Sequence, residues 1–186
     1  MSRVELVGPE QAPLPVRAYY SNGSPGPIGE SLAHVPELME VAMPFIGVAL
    51  GASSVADFRT KELVIVRASA LQECLYCTLT HMAIALDASV TPDELLTLRG
   101  AAAGAASGSF EGREAALLDW TDAMALGAGD IPADVAARMT ANFSDAEIVE
   151  LSITIGCTLM LNRYCTALEL PVSPANLAKL TEAGLT

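Results

Sequence analysis

Apolar positions recur along this chain at helical spacing almost everywhere, and no segment shows the clear two-residue alternation of a strand. A helical pattern begins near Pro36 and runs through ELMEVAMPFIGVALG, with Pro44 expected to end or bend it. DFRTKELVIVRASAL, CLYCTLTHMAIALDA and TPDELLTLRG follow as three further helical stretches. Thr91, Pro92 and Glu94 combine a capping residue, proline at the first helical position and an acid three residues after the cap, and Gly100 supplies the stop. AAAGAASGS at 101–109 reads as a small-residue linker. GREAALLDWTDAMALG, IPADVAARM, SDAEIVELSITIGCTLMLNRYCTALEL and SPANLAKLTEAG complete the set, and Ser144 with Glu147 repeats the capping-box spacing.

Residues 1–33 are rich in proline and glycine and read as an extended N-terminal arm; VELVG near the start is the one ambiguous segment. The expected fold is therefore all-α: a single helical domain over residues 34–186, preceded by the arm. A faint internal repeat is visible too. KELVIVRASALQECLYCTLTHMAIAL and AEIVELSITIGCTLMLNRYCTALEL each place a Glu before an apolar helix of similar length.

Composition sharpens this picture. Hydrophobic residues make up 52% of the 186 and charged ones 17%, with a mean hydropathy of +0.41. That is greasy for a monomer, and a large apolar interface in a homo-oligomer explains it economically. The formal charge of −12 argues against nucleic acid and anionic membranes as partners, since both reward Lys and Arg. The start, MSRVELVGPEQAPLP, lacks the basic and apolar regions of a signal peptide. The most apolar window, 41–56, is too short for a membrane span and contains Pro44. A cytoplasmic protein with reduced thiols is expected, and the plain reading of Cys157 and Cys165 is as buried small hydrophobes.

The candidate chemistry lies in CLYCTLTH, residues 74–81, which holds two of the four cysteines and one of the two histidines. At about 3.6 residues per turn, Cys74, Cys77 and His81 point within an arc of roughly 60° on one helix face. Cys74 and Cys77, one turn apart, would have Cα atoms about 5 Å apart, within disulfide range. Were residues 57–86 one straight helix, Glu62 would lie about 28 Å from His81 along the axis. A reversal near residues 71–73 would instead bring the two level across packed helices, although LQEC has neither Gly nor Pro to force it. Such a break also places Cys74 in the first turn of the second helix, where free N–H groups favour a thiolate. In this arrangement Glu62 orients His81, and His81 takes the proton of Cys77 directly or through a water. Cys77 then attacks an electrophile such as a peroxide oxygen, and Cys74 resolves the sulfenic acid as a disulfide. Tyr76 can donate a hydrogen bond to the leaving oxygen, or simply pack.

Glu62, eleven residues, then Cys74-x-x-Cys77-x-x-x-His81 resembles the alkyl hydroperoxidase D (AhpD)-like branch of the carboxymuconolactone decarboxylase family. The likeness spans roughly residues 36–171. It implies a helical fold assembled as a homotrimer or homohexamer, and thiol-dependent peroxidase or disulfide-reductase activity with no metal, haem or other cofactor. It also implies a hydroperoxide substrate and a dithiol or protein reductant. By position Glu62 and His81 match the family's proton relay, Cys77 the attacking cysteine and Cys74 the resolving one. Two positions depart from the pattern. Tyr76 stands where the family's namesake has histidine, and Glu73 stands where many relatives have a small residue. The Glu73 carboxylate is expected to raise the pKa of Cys74, which favours first attack by Cys77. Alternatives are a decarboxylase-type lyase, though that branch lacks the paired cysteines, and a non-catalytic helical oligomer. In the latter the motif would only pack or would bind zinc, with His34 or Glu62 as a fourth ligand.

Overall fold

The computed structural model describes residues 2–100, 102, 104–127 and 129–185. Its α-helices are α1 (Gly26–Leu32), α2 (Pro36–Leu50), α3 (Phe58–Leu71), α4 (Leu75–Ala85), α5 (Pro92–Gly100), α6 (Gly112–Leu126), α7 (Ala133–Asn142), α8 (Asp145–Leu168) and α9 (Pro174–Glu182). Short 3-10 turns cover Leu14–Tyr20 and Ala106–Ser109. Among the described residues there is no strand, and VELVG is irregular.

Everything is built around α3. Its nine consecutive residues from Lys61 to Ser69 are all buried, because α4, α5, α6 and α8 pack around it. A helix enclosed on every side needs no polar face, which is why this stretch lacks clean amphipathic periodicity. Its two buried cations are held by partners, as buried charge requires. Lys61 Nζ lies 2.6 Å from Glu150 and donates to the Ala49 carbonyl at 3.1 Å. Arg67 forks onto Asp122 at 2.6 and 2.7 Å and also donates to the Leu98 carbonyl.

Three expectations need correction. The N-terminal segment is no extended arm: Leu14–Tyr20 and α1 are helical, and Val7, Ala12, Val16 and Tyr20 form a core with Leu32 and Met39. The prolines pin this segment as turn and helix starts instead of keeping it extended. Arg3 ties it to the end of α8, through its amide to Leu168 and its guanidinium to Glu169. Pro44 does not end α2, which continues to Leu50. Pro44 and Glu40 both face outward, so water can satisfy the carbonyl that proline leaves unpaired. The two repeat-like stretches fold differently, the first as helix–turn–helix and the second within the single 24-residue α8.

In the 101–109 stretch, residues 101 and 103 lie outside the described residues, and Ala106–Ser109 forms a 3-10 turn. The capping boxes at Thr91–Glu94 and Ser144–Glu147 both form. No helix among the described residues is long and apolar enough to cross a membrane.

Candidate active site

The reversal between α3 and α4 falls within LQEC. Without glycine, the chain puts Glu73 into the left-handed region at φ 54°. The Cys74 amide bonds back to Ser69 and the Glu73 amide to Ala70, at 3.1 and 3.0 Å. This is the double bond pattern of a Schellman stop, made affordable for a non-glycine residue by those two bonds. Cys74 follows as the N-cap of α4.

The reversal brings Glu62 of α3 level with His81 of α4. Nδ1 of His81 lies 3.0 and 3.2 Å from the two Glu62 oxygens. Glu62 is almost wholly buried, at 1% exposure. The carboxylate fixes the Nδ1 side of the ring and leaves Nε2 to exchange a proton.

The sequence missed a third sulfur. Cys165, in the last turn of α8, shares a buried cluster with Cys74, Cys77 and Leu170. Cys74 is held well below the ordinary thiol range, mainly by hydrogen bonds from Cys165 and Cys77, with help from the Cys77 amide and Thr166 and against the cost of burial. Cys77 is pushed up by its hydrogen bonds to Cys165 and Cys74 and by burial. Cys165 is also raised, first by its hydrogen bond to Cys74.

In physical terms, the N-cap position and the neighbouring sulfurs favour negative charge on Cys74. The Cys74 thiol is thus lowered where the Glu73 carboxylate was expected to raise it. Glu73 is exposed and is not among the groups that set the Cys74 charge. The second unassigned cysteine behaves as expected: Cys157 packs with Ala49 and Leu161, and burial pushes its thiol up to about 11.

Two cavities flank the cluster. One, of about 330 Å³, is lined by Glu73, Cys74, Tyr76, Cys165, Glu169 and Pro171 among others. The second, of about 40 Å³, is lined by Cys77, Thr80, His81, Tyr76, Ile28 and Thr158 among others. The Thr80 hydroxyl is buried with no hydrogen-bond partner. Tyr76 borders both cavities, and burial together with the neighbouring sulfurs keeps its hydroxyl protonated. His34 sits between α1 and α2, exposed, with Nε2 2.8 Å from the Glu5 carbonyl oxygen, away from the sulfur cluster. Among the described residues no group of three or more His, Cys, Asp or Glu is arranged to hold a metal ion.

An enclosed helix carrying a carboxylate, a reversal, and a buried pair of thiols beside a histidine make up the site of this all-helical fold. Residues 36–123 match the model of the carboxymuconolactone decarboxylase family. The fold is similar to that of a peroxidase-related protein from Silicibacter sp. TM1040, with a TM-score of 0.80 and 17% identity over 94% of this chain and 93% of that one. It also resembles an Agrobacterium tumefaciens protein proposed to be the antioxidant-defence protein AhpD, with a TM-score of 0.68 and 25% identity over 77% and 97%. A cysteine-to-alanine variant of the debrominase Bmp8, in complex with 2,3,4-tribromopyrrole, has a TM-score of 0.76 and 19% identity over 98% and 100%. No functionally curated protein matches the sequence. The match over residues 36–123 and these fold likenesses support a place in the AhpD-like branch of the carboxymuconolactone decarboxylase family.

Proposed function

We propose that this protein is a thiol-dependent peroxidase that reduces organic hydroperoxides and is recycled by an external dithiol, without metal or other cofactor. The observation that carries this reading is the placement of Cys77 in one small cavity with the Glu62-held His81, beside Cys74 in the same buried cluster.

His81, its ring held by Glu62, takes the proton of Cys77 directly or through a water, and Cys77 becomes the nucleophile. It attacks the terminal oxygen of the hydroperoxide. The O–O bond breaks, the alkoxide leaves, and His81 passes that proton to it. The unpartnered Thr80 hydroxyl and the protonated Tyr76 are the donors available to the departing oxygen. The Cys74 thiolate then attacks the Cys77 sulfenic acid, forming the disulfide and releasing water with one proton from solvent. His81 thus serves as base to Cys77 and then as acid to the leaving group.

A second reading, reductive dehalogenation, is favoured by the likeness to the debrominase. The same thiols would accept a halogenated pyrrole as electrophile, so bromide release is measured beside peroxide loss.

Assembly as a homotrimer or homohexamer is part of the proposal. On α2, Leu38, Val41, Phe45 and Val48 are 48–78% exposed, and Val149, Ile153 and Met160 of the adjoining α8 are 49–65% exposed. This stripe is the surface a second copy would cover. Phe45→Glu is expected to halve or further reduce the mass measured by light scattering; an unchanged mass would place the interface elsewhere. A reducing, cytoplasmic setting suits the four free thiols.

The deciding experiment follows organic hydroperoxide consumption with a dithiol donor. Cys77→Ser should reduce turnover by about 10⁴-fold or more, the scale of losing a nucleophile. Turnover within tenfold of the parent protein would remove Cys77 from the reaction.

A further inference from the structure

We propose, resting on the thiol-redox reading above, that Cys165 is a third redox thiol that takes the disulfide over from Cys77 and presents it as Cys74–Cys165 to the larger cavity, where the external dithiol reduces it. Three observations meet here. Cys165 lies in one buried cluster with both members of the pair. It lies in the last turn of α8, whose left-handed stop at Glu169 and return bond from the Leu170 amide fix that turn against α4. And the large cavity is lined by Cys74 and Cys165, whereas Cys77 lines the small one with His81.

Access decides the order of events. A cavity of about 40 Å³ holds little more than one water, whose share of liquid volume is about 30 Å³. It can admit a peroxide group but not a dithiol reaching in line behind a disulfide. The 330 Å³ cavity can, and it opens on Cys74 and Cys165.

The exchange is balanced within the cluster. Cys165 sulfur attacks Cys74 sulfur in the Cys74–Cys77 disulfide, the Cys74–Cys77 bond breaks, and the Cys165 proton passes to the departing Cys77 within the cluster. The products are a Cys74–Cys165 disulfide and a Cys77 thiol. An external dithiol then reduces the new disulfide to two thiols and leaves as its own cyclic disulfide. Cys77 and His81 are reset before the reductant has finished.

The test uses the purified full chain, treated with one equivalent of cumene hydroperoxide and, separately, with diamide. Acid quenching, N-ethylmaleimide capping and denaturing trypsin digestion follow. Cleavage after Arg67, Arg99, Arg163 and Lys179 puts Cys74 and Cys77 in peptide 68–99 and Cys165 in peptide 164–179. The expected product is these two peptides joined through Cys74 and Cys165, two hydrogens lighter than their sum and carrying one N-ethylmaleimide, which fragment masses place on Cys77. In Cys165→Ser, oxidation should stop at a disulfide within peptide 68–99, and reduction of that pre-formed disulfide by the dithiol should be slower by tenfold or more. If that variant does not fold, the cross-link in the parent chain still decides. A disulfide confined to peptide 68–99 of the parent chain under both oxidants overturns the relay. If diamide gives the cross-link while hydroperoxide oxidises no cysteine, the relay stands and the peroxidase reading falls.

Discussion

Cys74 and Cys77 stand one helical turn apart on the same helix, yet their surroundings are opposed. Cys74 caps α4, carries the resting charge and faces a cavity of about 330 Å³. Cys77 is protonated and faces a cavity of about 40 Å³ with His81 and Thr80. A charged sulfur with room around it and a neutral sulfur beside a proton carrier are suited to different tasks. The contrast teaches that ionisation and nucleophilic role need not fall on the same atom at rest. The Glu62-held His81 is the group placed to move the proton of Cys77 when substrate arrives. The comparison can be broken from either side.

The largest effect should come from the crowded side. His81→Ala removes the proton carrier for the leaving oxygen, and a positioned general acid is worth about 10²–10⁴-fold. Turnover should drop by about 10³-fold, while labelling of Cys74 by iodoacetamide stays within a factor of two. A parallel collapse of Cys74 labelling would mean that His81 maintains the sulfur charge after all, and the assignment of His81 to the leaving group would fail. Glu62→Gln should show the same signature at about 30-fold, because it loosens the ring without removing it.

The next test reads the roomy side. Cys74 sits well below the ordinary thiol range because two thiols donate to it, so it stays ionised as pH falls from 8 towards 5. Its alkylation rate should therefore be nearly flat across that window. Cys157, pushed up to about 11 by burial, lies above the whole window, and its thiolate fraction should rise about tenfold per pH unit. At pH 5.5 iodoacetamide should thus label Cys74 about 10²-fold faster than Cys157, read by fragment masses of the tryptic peptides. Fragments placing the label on Cys77 instead would put the resting charge beside His81.

These two sides were unequally legible in the sequence. The Glu62–His81 pair followed from arithmetic, since the two residues are equidistant from a reversal near residues 71–73 and packed antiparallel helices place such residues level. The reversal itself lacked the usual residue signal, because Glu73 occupies the left-handed position that glycine normally marks. Cys165 gave no signal at all: it comes from a distant helix, and only tertiary packing of α8 against α4 brings its sulfur to the pair. The N-terminal segment failed for a related reason. Its prolines and glycines read as loop, yet Val7, Val16 and Tyr20 are enough to seat it in a core, and α1 contributes Ile28 to the wall of the small cavity. Local pattern found the helices; long-range packing set the chemistry between them.

The smallest effect should come from Thr80, which neither motif nor spacing singles out. Its hydroxyl is buried beside Cys77 and His81 and has no partner in the protein. Leaving such a donor unmet costs on the order of 1–3 kcal/mol, so it is poised to gain a bond when an oxygen enters. Thr80→Val keeps the shape and deletes the donor. Folding stability should be unchanged or slightly higher, because the unmet group is gone, while kcat/KM for the hydroperoxide falls about tenfold, equivalent to about 1.4 kcal/mol. Melting temperature and kcat/KM measured on the same preparation separate the two. A loss of stability with unchanged kcat/KM would make Thr80 a packing residue and the small cavity a mere packing defect. The opposite pattern, activity lost and stability kept, would locate the departing oxygen on the Cys77 side of the cluster and fix the division of labour between the two sulfurs.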